Sequence, residues 1–240
     1  MIRLEVLAVT GLADVVPGDV LAELITRAAR SGDGDSPGLH DGDVVVVTQK
    51  IVSKSEGRLV ALDANDPEAS RRLVEGEAVR VLRRRGDLLI TETVHGFVCA
   101  NAGIDRSNVG EGQAALLPVD ADRSARRIRD GLRARAGVEV GVVVSDTFGR
   151  PWRRGATDVA IGCAGVAAVI DLRGQRDGGG RKLEVTEVAV ADELAAAAEL
   201  VMGKSRRVPV AVVRGVDPAW LREASVAAEV VRPPGEDLFR

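Results

Sequence analysis

The sequence has no tyrosine, and its 240 residues include only three phenylalanines and two tryptophans. Proteins that bind single-stranded nucleic acid usually stack the bases on aromatic side chains. This scarcity, together with a formal net charge of −3, argues against a nucleic-acid partner. Two cysteines and two histidines are too few for a disulfide framework or a Cys/His zinc site. Any metal ion must therefore be bound by oxygen ligands.

Long apolar runs and targeting patterns are also missing. No apolar stretch reaches the roughly 18–20 residues that cross a bilayer, so we expect no membrane contact. Residues 1–5 lack the basic and then apolar layout of a secretory signal, so we expect a cytoplasmic protein. Apolar residues make up 45% of the chain and charged residues 29%, which is typical of a folded globular protein.

The pattern of apolar residues predicts strands and helices in irregular alternation. Strands are predicted at residues 4–9, 43–48, 87–100 with a break at Gly96, 138–145, 157–172, 185–190 and 208–213. Helices are predicted at residues 18–31 with Asp19 as N-cap, 66–84, 122–135, 191–202 and from 217 to just before Pro233. Because strands and helices do not alternate strictly, the predicted class is α+β, with mixed β-sheets and flanking helices.

Asp105 and Asp146 are the main candidates for binding a metal ion. Asp105 lies in a loop rich in glycine, asparagine and serine, and Asp146 directly follows the apolar strand 138–145. A carboxylate at the end of a buried strand can bind Mg²⁺ or Mn²⁺, which take one or two carboxylates together with water and substrate phosphates. The structural alternative is that each aspartate caps its own loop, the usual role of Asp in turns.

Basic residues near these aspartates are candidates for binding phosphate. Lys50 and Lys54 follow the strand 43–48, and three arginines lie within residues 150–154, just after Asp146. An arginine guanidinium can donate two parallel hydrogen bonds to a phosphate. The alternative is a solvated charged edge, which needs no ligand.

The segment Gly203-Lys204-Ser205 ends like a phosphate-binding P-loop, but the motif is incomplete. A P-loop needs a glycine five residues before Gly203, where the sequence has Ala198 inside a predicted helix. Gly203 is better explained as the residue that ends that helix, with Lys204 near its negative end. The turn of residues 11–19 is another candidate, because its backbone amides could bind a phosphate or a base edge.

Six segments, taken in order, resemble the coenzyme F420-0:L-glutamate ligase family. They are residues 17–19, 43–58, 102–108, 144–153, 191–194 and 212–215, and the run Asp-Thr-Phe-Gly-Arg-Pro-Trp-Arg at 146–153 is the most specific. The resemblance implies the fold of that family and an intertwined homodimer. It also implies one ligase domain over residues 1–240, with room for two subdomains. Some members of the family carry a second, nitroreductase-like domain that binds flavin, and we expect no such domain in these 240 residues.

The resemblance implies a GTP-dependent ligase that adds L-glutamate to coenzyme F420-0, forming F420-1 and then γ-linked F420-2 or longer products. The substrate carboxylate would take the γ-phosphoryl group of GTP, and the glutamate amine would attack the resulting acyl phosphate. Phosphoryl transfer depends on positioning and charge neutralisation, which agrees with a sequence that offers no Ser-His-Asp or Cys-His set. The implied metal is Mg²⁺ or Mn²⁺, with two ions in each site, and K⁺ is a further implied cofactor.

The resemblance also assigns roles to individual residues. Asp105 and Asp146 are implied to bind one metal ion and Thr147 a second, and Arg150 joins the two aspartates in the implied catalytic group. Lys204 stands where archaeal members of the family have a glutamine-type metal ligand, so the sequence departs from the family there. The implied GTP site consists of Leu12, Ala13, Asp14, Val15, Gln49, Lys54, Asn108, Met202, Gly203 and Lys204.

Two other functions remain open from the residues alone. One is a metal-dependent phosphatase or phosphotransferase that uses the same two aspartates without forming an amide. The other is a guanine-nucleotide-binding regulatory domain. The three functions differ in whether GTP turnover requires both the coenzyme and glutamate.

Overall fold

The computed structural model describes residues 3–30, 36–63, 65–66, 68–107, 109–110 and 112–238. The strands are β1 Glu5–Ala8, β2 Val44–Thr48, β3 Leu59–Ala61, β4 Ala78–Arg85, β5 Leu88–Thr93, β6 Val98–Ala100, β7 Gln113–Ala115, β8 Gly141–Arg150, β9 Arg153–Ala164, β10 Ile170–Asp171, β11 Glu187–Val188 and β12 Val210–Arg214. The α-helices are α1 Leu21–Arg30, α2 Gln49–Ser55, α3 Ala69–Glu77, α4 Ala121–Ala136, α5 Val190–Met202 and α6 Val226–Glu229. Short 3₁₀ turns lie at Asn101–Gly103, Pro218–Trp220 and Pro234–Glu236.

A five-stranded sheet with the order β1-β12-β2-β8-β9 forms the centre of the fold. β2 and β8 run parallel, and the other neighbouring strands of this sheet pair antiparallel. Smaller sheets are formed by β4-β5-β6, β3-β7 and β10-β11. These mixed sheets with their flanking helices confirm the predicted α+β class.

Helices cover both faces of the central sheet, which explains the run of valines in β2. Val45 and Val47 pack with α1 and α4 in one core cluster, whereas Val44 and Val46 pack with α5 in another. All four side chains are fully buried. A strand that is buried on both faces has no polar alternation, so this apolar run locates the strand that ends at the candidate site.

The predicted helix 66–84 is wrong in its second half. α3 ends at Glu77, and the following residues form β4, which pairs antiparallel with β5. Val79 and Val81 alternate with other residues in the period of a strand, and Gly86, with φ of 58°, makes the turn into β5. Pairing with β5 satisfies the backbone that a longer helix would have satisfied by itself.

The helix predicted from residue 217 to Pro233 is also wrong, because the chain forms only a 3₁₀ turn and the short α6 there. Asp122, at the start of α4, accounts for this arrangement. Its carboxylate accepts hydrogen bonds from the backbone N–H groups of Cys163 at 2.8 Å, Val226 at 2.9 Å and Ala227 at 3.1 Å. A buried carboxylate needs such donors, so the start of α6 is fixed by a tertiary contact.

The prediction that Asp19 caps α1 is wrong as well. α1 begins at Leu21, and Asp19 Oδ2 accepts a hydrogen bond from Val16 N at 2.8 Å, within the turn before the helix. Gly203 does end α5 as predicted, with φ of 58° and its N–H donating to Glu199 O at 2.9 Å. Within the described ranges, no helix combines the length and the apolar character that a membrane span requires.

Candidate active site

At one edge of the parallel pair, the carboxyl end of β2 lies beside the inner part of β8. β8 continues past Asp146 to Arg150, so the predicted end of this strand at residue 145 is wrong, because residues 146–150 pair with β9. Thr48 pairs with Ser145 in the parallel ladder. The next residues, Gln49 and Asp146, therefore lie at the same height along the two neighbouring strands. α2 begins at Gln49 without any intervening loop. Ligands of sheets with parallel strands commonly bind at the carboxyl ends of those strands, and this edge therefore contains the candidate site.

Asp105 is held in place at this edge by both its backbone and its side chain. Its N–H donates to Ala115 O at 3.0 Å, and Ala115 N donates to Asp105 O at 2.8 Å. Lys50 Nζ lies 2.8 Å from Asp105 Oδ2, and Ser107 N donates to Oδ1 at 2.7 Å. Burial alone would raise the pKa of Asp105, but the hydrogen bonds from Lys50 and Ser107 outweigh it and hold the pKa below its usual value.

Asp146 has the opposite electrostatic character. Burial raises the pKa of this carboxyl to about 7, and the negative charges of Asp105 and Asp158 act in the same direction. A hydrogen bond of 2.8 Å from Thr147 N to Oδ1 and the positive charge of Lys204 act against the increase. A cation beside Asp146 would offset the negative charges of Asp105 and Asp158 that act on this carboxyl.

Thr147 and Asp158 form a hydrogen-bonded pair across the β8-β9 ladder. Thr147 Oγ1 donates to Asp158 Oδ1 at 2.5 Å, and Ser145 Oγ donates to Asp158 Oδ2 at 3.0 Å. Asp158 is only 3% exposed, and Lys204 Nζ in turn donates to Thr147 Oγ1. No local sequence pattern marks Asp158 as a site residue. Its register opposite Thr147 is the signal that a correct hairpin prediction would have supplied.

The lysines of α2 lie on one helix face, because residues four apart are neighbours on a helix surface. Lys50 donates to Ser107 Oγ at 2.8 Å in addition to its ion pair with Asp105. The side chain of Lys54, one turn further along, makes no hydrogen bond or ion pair to any residue that the structure describes. Lys50 was not among the residues that the resemblance assigned, although its contact with Asp105 puts it in the site.

Gln49 is almost fully buried and ties α2 to the segment after β7. Its Nε2 donates to Ser53 Oγ at 2.6 Å and to Leu116 O at 3.0 Å, while Ser53 Oγ donates to Leu116 O at 2.6 Å. The side-chain amide nitrogen is therefore used within the protein. A contact between Gln49 and GTP stays a prediction.

The other residues of the implied GTP site differ in what they can offer a ligand. Ala13 and Asp14 are exposed and Leu12 is half-buried, whereas Val15 is buried in the core. Met202 is also a core side chain, so that part of the chain can offer only the backbone around Gly203 and the side chain of Lys204. Asn108 lies outside the described residues.

Arg150 lies at the far end of the β8-β9 hairpin. It is exposed, and its Nη2 donates to Arg154 O at 3.0 Å. Along an extended strand, four residues span roughly 13 Å, so the Arg150 backbone lies about that distance from Asp146. No hydrogen bond or ion pair joins Arg150 to the aspartates in the part of the chain that the structure describes. Its catalytic role stays a prediction.

The donors at this edge suit one divalent ion better than two. Asp105 and Asp146 offer carboxylate oxygens, the ligands that Mg²⁺ and Mn²⁺ prefer. Among the described residues, no group of three or more His, Cys, Asp or Glu side chains is arranged to hold a metal ion, so water and phosphate would complete the shell of an ion on this pair. At Thr147, the position implied for a second ion, the Lys204 ammonium already contacts the hydroxyl.

Comparison with known proteins agrees with the order of the motifs. The model of a family described as F420-0:Gamma-glutamyl ligase matches residues 11–215. This chain belongs to that family. The match includes β2, α2, Asp105, Asp146 and Lys204, and it ends just after β12.

Relatives in the F420-0:Gamma-glutamyl ligase family resemble the chain over almost its whole length. A coenzyme F420:L-glutamate ligase of Methanothermobacter thermautotrophicus is 44% identical over 99% of both chains. The protein of the same name from Methanopyrus kandleri is 44% identical over 94% of this chain and 93% of its own. The one from Methanococcus maripaludis is 38% identical over all of this chain and 96% of its own.

Proposed function

We propose that this chain is a GTP- and divalent-metal-dependent ligase that adds L-glutamate to coenzyme F420-0, giving F420-1 and then γ-linked F420-2 or longer products. The relatives named above are ligases of L-glutamate and coenzyme F420 by name. The observation that supports the proposal most is the cluster of Asp105, Asp146 and Lys50 where β2 ends beside β8. This cluster combines hard oxygen ligands with a cation, as phosphoryl transfer requires.

The chain's own residues account for binding and positioning. Asp105 and Asp146 would hold a Mg²⁺ or Mn²⁺ ion, which supplies positive charge to the phosphates of GTP. Lys50 keeps Asp105 ionised and oriented through the 2.8 Å contact between Lys50 Nζ and Asp105 Oδ2. Lys54, one turn further along α2, is the side chain that we assign to the GTP phosphates.

The reaction proceeds through two substitutions on the substrates. A carboxylate oxygen of F420-0 attacks the γ-phosphorus of GTP, the bond to the bridging oxygen breaks, and GDP leaves. The glutamate amine then attacks the carbonyl carbon of the acyl phosphate, the carbon–oxygen bond to phosphate breaks, and the amine loses a proton. The buried Cys99 does not serve as a nucleophile, because burial and the Asp146 charge raise its thiol pKa to about 12.

An isotope experiment tests this route. When the carboxylate of F420-0 carries labelled oxygen, one labelled atom must appear in the released phosphate, because that oxygen forms the bond to phosphorus. Mass spectrometry of the phosphate gives the answer. Unlabelled phosphate would exclude the acyl-phosphate intermediate.

Lys54→Ala is expected to raise the KM for GTP about tenfold, since a hydrogen bond to a charged group contributes about 1.5–3 kcal/mol. The KM for glutamate should change little. Steady-state kinetics with GTP as the varied substrate measures the effect. Lys182→Ala, which removes an exposed lysine remote from β2 and β8, is the matched control, and equal effects of the two substitutions would contradict the assignment of Lys54.

Arg150→Lys is expected to lower the ligation rate about tenfold although it keeps the charge. A lysine cannot reproduce the two parallel hydrogen bonds of a guanidinium, and a charged hydrogen bond contributes about 1.5–3 kcal/mol. The comparison is kcat for this variant and for Arg173→Lys, which changes an exposed arginine outside the candidate site. If Arg150→Lys kept the wild-type kcat, Arg150 would be only a solvent-exposed residue of the hairpin.

We further propose that the protein is a cytoplasmic homodimer. The sheet β4-β5-β6 supports the dimer, because Leu88 and Val98 are exposed on one of its faces, and exposed apolar surface often marks a protein interface. Light scattering on the eluting protein should give twice the mass of one chain. The mass of one chain would contradict the dimer.

A further inference from the structure

The hydroxyl of Thr147 lies between a buried carboxylate and an ammonium group. It donates its proton to Asp158 Oδ1 at 2.5 Å and accepts a hydrogen bond from Lys204 Nζ. A threonine hydroxyl has one proton and two lone pairs. Since the proton is directed to Asp158, the oxygen turns a lone pair toward Lys204, and the ammonium therefore sits against an oxygen that a metal ion would use as a ligand.

The charge of Lys204 acts on the carboxylates around this hydroxyl. Burial raises the pKa of Asp146 and of Glu199, and the negative charge of Asp158 raises both further. The Lys204 charge works against the increase at both residues. The ammonium thus neutralises part of a shared cluster of negative charge, which is what a bound cation does.

Lys204 is not needed to end α5. Gly203 already ends that helix, with its N–H bonded to Glu199 O, and Arg206 Nη1 donates to Leu200 O and to Val201 O, both at 3.3 Å. The last carbonyl groups of the helix therefore have another basic partner. Lys204 instead reaches across to β8, so an ordinary helix-capping role does not explain its position.

We propose that the Lys204 ammonium takes the place of a second divalent cation at Thr147, so that each site binds one divalent ion, at Asp105 and Asp146. A further divalent ion on the Thr147 oxygen would lie next to a like charge, which opposes its binding. This inference rests on the proposed metal- and GTP-dependent function. In this account, the Lys204 ammonium supplies the positive charge at Thr147 that a second ion would otherwise supply.

The test is to count the Mn²⁺ ions that bind to the full chain in the presence of a non-hydrolysable GTP analogue. Electron paramagnetic resonance measures the free Mn²⁺, and the bound number is the difference from the total. The wild type should bind one ion per chain, and Lys204→Gln should bind two, because removal of the ammonium opens the Thr147 oxygen. Lys204→Arg, which keeps the charge, and Lys182→Gln, a remote exposed lysine, should both bind one. Lys204 is exposed, and circular dichroism checks that each variant is folded.

The outcomes separate this inference from the function on which it rests. Two ions on the wild type, or one ion on folded Lys204→Gln, would overturn the role of Lys204 and leave the proposed ligase intact. If neither the wild type nor any variant binds Mn²⁺, the proposed metal dependence falls, and the role of Lys204 falls with it. One ion on the wild type and two on Lys204→Gln would support both.

Discussion

Asp146→Ala is expected to lower the rate of glutamate ligation roughly a thousandfold or more while the protein stays folded. A bound metal ion contributes several kcal/mol of charge stabilisation, and each 1.36 kcal/mol is about a factor of ten in rate. Asp105→Ala should have a similar effect, because it removes the other carboxylate and leaves Lys50 without its 2.8 Å partner. The measurement is kcat under saturating GTP, glutamate and Mn²⁺.

Two further variants make this result interpretable. Asp146→Asn keeps the shape of the side chain and removes its charge, so it should lose Mn²⁺ affinity more than GTP affinity. Asp130→Ala removes an exposed carboxylate of α4, paired with Arg129, and should keep normal activity. If either Asp105→Ala or Asp146→Ala retained nearly wild-type turnover at low Mn²⁺, the proposed metal site would be wrong.

Asp43→Ala is expected to lower the free energy of unfolding by about 3 kcal/mol. Asp43 is 1% exposed and accepts hydrogen bonds of 2.8 Å from Nε and Nη2 of Arg214 and from His40 N. Breaking a buried ion pair from one side costs about 3–5 kcal/mol, because the remaining charge loses its partner. We take the lower value, since Arg214 keeps some contact with water.

Urea unfolding measures this change. Asp171→Ala is the control, because it breaks an ion pair between two exposed side chains, Asp171 and Arg173, and exposed pairs contribute little. Its unfolding midpoint should match that of the wild type. A loss below about 1 kcal/mol for Asp43→Ala would show that the pair does not join β2 to β12 as strongly as its geometry indicates.

Those parts of the fold that depend on local patterns could be predicted from the sequence. The four valines of β2 identified a strand buried on both faces, and Gly203 identified the end of α5. The sequence did not indicate where α3 ends, because β4 depends on pairing with β5. It also did not indicate the break before α6, since Asp122 holds that segment through a carboxylate about a hundred residues away along the chain.

The candidate site also contains some residues that a local sequence pattern identifies and others that only contacts between distant segments reveal. Asp105 and Asp146 stand out in the sequence because each follows an apolar segment. Asp158 does not stand out, since its importance comes from its register opposite Thr147. The ion pair of Lys50 with Asp105 depends on the packing of α2 against the segment after β7, which Gln49 and Ser53 hold through Leu116 O. The reach of Lys204 depends on how α5 packs. Contacts between distant segments have no local sequence signal.

The most direct test of the proposed function follows the mass of the coenzyme and the release of GDP in one reaction. The purified protein is incubated with F420-0, L-glutamate, GTP and Mn²⁺, and parallel reactions each omit one component. We predict that the coenzyme gains one glutamyl residue and then γ-linked residues, and that GDP release over many turnovers requires both F420-0 and glutamate. GDP release that needs neither substrate would indicate a phosphatase, tight GTP binding without turnover would indicate a regulatory domain, and either result would contradict the ligase.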